Sequence, residues 1–127
     1  MPFVAKLLSV DLTRGEIHRP DLPQALTRQF LSGRGINAWL LAQRLQPDSD
    51  PLARDSALAL SCGLLTGTAA ASSSRLHVNA ISPLTGVLGS SNVGGYFGAE
   101  LRAAGVQTLL IRGRAQHPVM LWIDGER

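Results

Sequence analysis

Two stretches of the chain carry the residue types that hold ligands by the backbone. Residues 63–74 and 90–98 are dense in glycine, serine and threonine. Glycine lets main-chain amides approach a ligand closely, and successive N–H groups form concavities that favour anions. Asn92, Val93, Gly94 and Gly95 stand directly before a helical pattern that starts near Tyr96. The unbonded N–H groups and positive dipole end of such a helix would face whatever lies over those four residues, and a phosphate suits that place. Arg75 opens the segment that follows the first glycine-rich stretch. Its guanidinium is suited to bonding phosphate oxygens in pairs. The competing reading is that these glycines only make tight turns. A further run, Gly33-Arg34-Gly35, also precedes a helical pattern but reads better as a helix–helix turn.

Other chemistries find less support. Neither a Gly-Lys-Ser/Thr phosphate loop nor a Gly-x-Gly-x-x-Gly turn after a strand is present. His18, His77 and His117 fall in unrelated segments without metal-ligand spacing. Ser72, Ser73 and Ser74 have no local base, so a hydrolase built on Ser74 and His77 rests on those two side chains alone. A single cysteine, Cys62, cannot hold zinc or an iron–sulfur cluster by itself. It sits in an apolar run and reads as a buried thiol. Lys6 and eleven arginines are scattered singly and the formal net charge is +3, which argues against a basic face that coats nucleic acid. No apolar stretch reaches the ~20 residues of a membrane span, and no secretory apolar segment opens the chain. A soluble, cytoplasmic protein is the expectation.

The elements that must position these residues read as follows. At 127 residues, 45% hydrophobic and 17% charged, the chain fits one globular domain over residues 1–127. Residues 6–12 and 17–19 form a hairpin around Gly15. A helix is predicted from residue 21 or 22 to 31, with Asp21 as N-cap, Pro23 in its first turn, and Leu22, Leu26 and Phe30 on one face. A second helix is predicted over residues 36–45, with Ile36, Trp39 and Leu40 inward, and then a loop over 47–51. Strands are predicted over 57–62, 75–81, 87–90, 108–112 and 119–124. A helix over 96–104 places Phe97 and Leu101 on one side, Glu100 and Arg102 outside, and Gly105 at its C-terminal end. Hairpin strands with a few segregated helices argue an α+β, β-rich fold.

Several separate motifs in one order resemble the N-terminal domain of the aldehyde:ferredoxin oxidoreductases. They are Gly63-Leu64-Leu65-Thr66-Gly67-Thr68, Ser82-Pro83-Leu84-Thr85-Gly86, and the run from Ser91 through Asn92-Val93-Gly94-Gly95-Tyr96-Phe97-Gly98 to Leu101. Gly33-Arg34-Gly35, Asp50-Pro51-Leu52, Ala104-Gly105 and the segment 118–123 add to the likeness, which runs from about Lys6 to the last residue. The resemblance implies a β-rich base on which a tungsten, sometimes molybdenum, bis-pterin cofactor rests. It implies that Arg75 approaches the metal–dithiolene end. It also implies that the backbone of Asn92, Val93, Gly94 and Gly95 meets a pterin phosphate, and that the Asn92 carbonyl faces the magnesium bridging the two phosphates. No catalytic residue is carried over. Leu64 stands where the family usually has proline, Ile81 where a basic residue is common, and Ser72, Ser73 and Ser74 where glycines are frequent.

Family members continue for several hundred residues, and the cysteines of their [4Fe–4S] cluster lie in that further part. The resemblance therefore implies a fragment or separate subunit, inactive alone, with half of a pterin cradle and no cluster of its own. A catalytic remainder or second subunit would carry the cluster and pass electrons to ferredoxin, and a homodimer is open. The implied activity is oxidation of an aldehyde to a carboxylic acid. The alternative is a non-catalytic binding or assembly module that kept the fold and lost the cofactor.

Overall fold

The computed structural model describes residues 6–44, 46 and 49–125. The elements run β1 (Leu7–Asp11), β2 (Glu16–His18), α1 (Gln24–Phe30), α2 (Arg34–Ala42), β3 (Ala57–Cys62), β4 (Leu76–Ile81), β5 (Leu88–Val93), α3 (Phe97–Ala103) and β6 (Thr108–Arg112). All six strands join one sheet in the order β2-β1-β6-β3-β4-β5. The β1–β6 pair is parallel and the others are antiparallel, so the fold is a mixed-sheet α+β domain. Period-two alternation in the strands sends Leu7, Ala57, Ala59 and Leu110 to one face, where α1 and α2 cover them with Leu26, Ile36, Leu40 and Leu41. The other face carries Leu8, Val10, Cys62, Leu76 and Leu109, against Leu101 of α3 and Val106. Each fully buried aliphatic side chain here stabilises the fold by about 1.5–3 kcal/mol.

One polar side chain crosses the first core. Asn37 of α2 is wholly buried. Its Nδ2 donates to the Ala59 carbonyl at 3.2 Å, the His77 carbonyl at 3.1 Å and Asn79 Oδ1 at 2.9 Å, while its Oδ1 accepts from Ser61 Oγ at 2.5 Å. Two N–H groups serving three acceptors means that one N–H is shared. Ser61 Oγ lies 2.8 Å from Thr108 Oγ1, and because the serine proton goes to Asn37, the threonine is the donor. Asn79 Nδ2 in turn donates to the Gly89 carbonyl at 3.0 Å. The network therefore links β6, β3, α2, β4 and β5 in one chain of bonds.

Several boundaries differ from the sequence reading for local reasons. Helix α1 begins at Gln24, because Lys6 bridges Asp21 and the Leu7 N–H bonds the Pro20 carbonyl, which holds residues 20–21 extended along β1. Pro23, at φ −54° and ψ 132°, is the N-cap residue. Helix α2 begins at Arg34, two residues earlier than predicted, and ends at Ala42 with Gln43 as its C-cap, three residues short of the expected end; Leu45, and Pro47 and Asp48 of the following loop, lie outside the described residues. Trp39 is only partly buried against the core. Strand β5 runs on to Val93 and so takes in Asn92. Helix α3 closes as expected at Gly105, whose N–H bonds the Arg102 carbonyl while the Val106 N–H bonds Leu101, a Schellman pair reinforced by Leu101–Val106 packing. Residues 119–124 are not a strand: they pair with no strand of the sheet, and Met120 and Trp122 stand exposed.

Between α1 and α2, Leu31 takes φ 59° and ψ −80°, a rare and strained γ-turn geometry, with its side chain in solvent. This turn delivers Ser32, whose Oγ donates to the Cys62 carbonyl; Gln107 Nε2 also bonds that carbonyl, at 2.7 Å, and Arg102 bonds Gln107 Oε1. Leu31→Gly is expected to raise stability by about 1 kcal/mol, because strain of roughly 1–3 kcal/mol outweighs the added freedom of the unfolded glycine, about 0.4–1 kcal/mol. Asn37→Ala is expected to lower it by about 2–4 kcal/mol, since Ser61 and Asn79 lose their partner inside the core. Urea midpoints of the two variants, with unchanged denaturant slopes, check both signs.

Candidate functional site

The register of β4 against β5 sets Leu76 opposite Val93 and His77 opposite Asn92. One residue further along each strand come Arg75 and Gly94, so strand pairing itself brings the arginine and the glycines to the same end of the sheet. Gly95 has φ +90°, a conformation that an L side chain rarely adopts. A Cβ built on Gly94 or Gly95 would meet no atom within 4 Å. Both backbones are therefore open to a ligand, and the need for glycine conformation falls on Gly95. Strand β5 is also the edge of the sheet, which leaves the outer row of its backbone groups without a strand partner.

Arg75 is held by its main chain. Its carbonyl accepts from Thr66 Oγ1 at 2.9 Å and from the Gly63 N–H at 3.3 Å, and Thr66 is buried. The arginine side chain is exposed and lines a cleft of about 340 Å³ together with Leu64, Leu65, Ser72 and Ser73. Ser72 stands in the left-handed region at φ +58°, which glycine would occupy without strain. Behind this cleft α3 packs closely: a Cβ on Gly98 would lie 3.4 Å from Leu76, from Thr66 and from the Ser74 carbonyl. Cys62 Sγ donates to the Gly98 carbonyl at 3.2 Å, and burial pushes the thiol up to about 11. It is a packed structural thiol.

The structure revises the helix part of the expected cradle. Asn92 and Val93 belong to β5, and α3 has only seven residues, so its N-terminal dipole is a weak contributor. In its place the sheet brings up Arg34, at the start of α2, beside His77. Loss of solvent, followed by the Arg34 charge, holds the His77 imidazole below its ordinary value of 6.5. Its Nε2 lies 3.0 Å from Ser90 Oγ, so Ser90 and not Ser74 is its neighbour. As direct cross-strand partners, His77 and Asn92 project from the same face. Arg34 was legible only as part of a turn, because nothing along the chain says that α2 starts against β4. Among the described residues, no three His, Cys, Asp or Glu side chains come together to hold a metal ion. No helix of the described residues is long and apolar enough to cross a membrane.

The His77 titration follows from this placement. Its NMR midpoint is expected below 6.5, and Arg34→Ala is expected to raise it, because removing a positive charge favours the imidazolium. A midpoint indifferent to Arg34→Ala would separate the two side chains electrostatically.

Comparison with known proteins adds the following. Residues 7–127 match the model for the aldehyde ferredoxin oxidoreductase N-terminal domain. The chain is 37% identical over 121 residues to the tungsten-containing aldehyde ferredoxin oxidoreductase of Pyrococcus furiosus, and 40% identical over 124 residues to that of Pyrococcus abyssi. These alignments cover 95% and 98% of this chain and 20% of each relative. An aliphatic sulfonate oxidoreductase WOR-like subunit of Pyrococcus furiosus is 34% identical over 127 residues, which are 98% of this chain and 20% of that subunit. Among solved structures, the active site complex BamBC of benzoyl coenzyme A reductase, in complex with 1,5-dienoyl-CoA, superposes with a TM-score of 0.94 at 34% identity, over 97% of this chain and 19% of that one. The chain thus spans about a fifth of the length of the relatives it matches.

Proposed function

The chain belongs to the aldehyde ferredoxin oxidoreductase N-terminal domain family, and from that premise we propose that it forms one half of the cradle for a tungsten or molybdenum bis-pterin cofactor. The observation that carries the reading is the β4–β5 register, which puts Arg75 and the open backbones of Gly94 and Gly95 side by side. A phosphate group needs donors that approach without side-chain obstruction and a positive charge close by, and this end of the sheet offers both. In this reading the backbone of Asn92, Val93, Gly94 and Gly95 holds a pterin phosphate, the Asn92 carbonyl serves the bridging magnesium, and Arg75 lies toward the metal–dithiolene end. When bound, the tungsten–pterin group supplies the two-electron chemistry that converts an aldehyde to a carboxylic acid. The role of this domain is to bind and orient; the iron–sulfur cluster and the electron path to ferredoxin belong to a further part of the protein or to a second subunit.

The exposed apolar surface supports such a neighbour. Leu58, Leu60, Phe97, Leu109, Leu121 and Ile123 line a groove of about 600 Å³ on the face that α3 only partly covers. Tyr96 and Trp122 stand exposed nearby in the chain. In this reading the groove receives the remainder of such an enzyme or a second copy of this chain.

One observation favours a second reading, a non-catalytic module that kept the fold. Ser72 sits strained in the loop beside Arg75, in the stretch where related sequences favour glycine, so the cleft is not optimised in the family's usual way. Metal and pterin analysis of the assembled protein separates the two. Under the cofactor reading, tungsten or molybdenum and released pterin are found in proportion to the chain. Arg75→Ala then weakens retention roughly ten- to hundredfold, the loss of one charge-assisted contact of about 1.5–3 kcal/mol. Gly95→Val lowers retention further, because both its backbone conformation and its open approach are lost. Absence of metal and pterin in the assembled wild-type protein would support the module.

A further inference from the structure

The opposite end of the sheet carries a group of charges that the cofactor reading does not use. Asp11 of β1 and Arg112 of β6 are register partners there, and Ala57 of β3 lies opposite Arg112. Around them a cleft of about 510 Å³ is lined by Arg14, Arg44, Arg54 and Arg112 with Asp11 and Asp55. The two carboxylates do not balance the four guanidinium groups. Asp11 is already committed, since its Oδ1 accepts from the N–H groups of Thr13 and Arg14 at 3.0 and 3.1 Å, and its Oδ2 lies 3.0 Å from Arg112 Nη2. Among the described residues Arg112 is the one arginine of the four with an ion pair, and its Nε is buried without an acceptor. Partial loss of solvent first, and then the charge of Arg112, lowers the Arg44 guanidinium from its ordinary value, and both arginines line the same cleft.

We propose that this cleft is a binding site for a phosphate-bearing small molecule, with the phosphate held by Arg44, Arg54 and Arg112. Planar guanidinium forks bond phosphate oxygens in pairs, and a dianion would balance the excess of two positive charges. The volume is in the range of clefts that take small organic ligands. The four arginines come from the β1–β2 turn, the segment after α2, the loop before β3 and the end of β6, and the sheet fixes the last of these relative to the first. A concave cluster at one sheet end suits a compact anion better than a polyanion.

Calorimetric titration of the protein with inorganic phosphate and with glycerol 3-phosphate tests this. Saturable binding in the millimolar range or tighter is expected, weakened about tenfold or more by Arg44→Gln and by Arg54→Gln. Both side chains are exposed, so these variants should keep the fold, which circular dichroism checks. Arg28→Gln on α1 is expected to leave this binding unchanged. No saturable binding, equal weakening by Arg28→Gln, or dependence on Arg75 alone would overturn the proposal. So would an acidic peptide that saturates the cleft when neither phosphate does. Phosphate held at the other end of the sheet would instead be lost on Arg75→Ala and kept on Arg44→Gln and Arg54→Gln, which distinguishes this site from the cofactor reading.

Discussion

Asn37 is out of contact with solvent, and the hydrogen bonds of its single amide tie a helix to the middle of the sheet. A buried amide is costly unless every donor and acceptor is met, and here Ala59, His77, Asn79 and Ser61 meet them all. Such a group accepts one arrangement only. If α2 slid by a turn or β4 slipped by a residue, the amide would lose its partners in a space with no water to replace them. The network therefore fixes the position of β4 against β3 and, through Asn79 and Gly89, of β5 against β4. That register decides that Arg75 and Gly94 emerge together. The candidate site depends on a polar contact that lies wholly beneath it.

The two faces of the sheet are unequally finished. Helices α1 and α2 close one face over a continuous apolar cluster, whereas the other has seven residues of α3 and an irregular segment laid across it. Phe97 is half exposed at the apolar groove and Trp122 is exposed nearby in the chain, which accords with the proposal that other protein covers this face. The same incompleteness appears at the edge strand β5, whose side chains are mostly exposed. Both features fit a domain that works against other protein, and the family to which the chain belongs has members about five times longer.

Charge follows a similar division of labour. At one end of the sheet an exposed Arg75 stands beside open glycine backbone; at the other, arginines gather around a carboxylate that is already bonded through both oxygens. Asp11 shows why the second cluster keeps its excess. The N–H of Arg14 is the main influence holding its carboxyl below the usual carboxylate range, burial opposes this, and the N–H of Thr13 and the charge of Arg112 add to it. It acts first as a turn-forming acceptor and only partly as a counter-ion.

Much was legible along the chain because it is encoded locally. Short apolar runs over residues 57–62 and 108–112 and the alternation of residues 75–81 report strands directly, Gly105 stops its helix through bonds to the preceding turn, and the glycine-rich stretches mark backbone that must come close to something. Cys62 could be read as buried from its apolar neighbours. Local pattern failed where the partner was distant. Asp21 looked like an N-cap but pairs with Lys6, and residues 119–124 looked like a strand but pair with no strand of the sheet. The parallel pairing of β1 with β6, the placing of Arg34 beside His77 and the gathering of four arginines from separate segments all join residues far apart in sequence. A one-dimensional pattern records which side of a strand or helix a residue takes; only the packed core decides what stands opposite it.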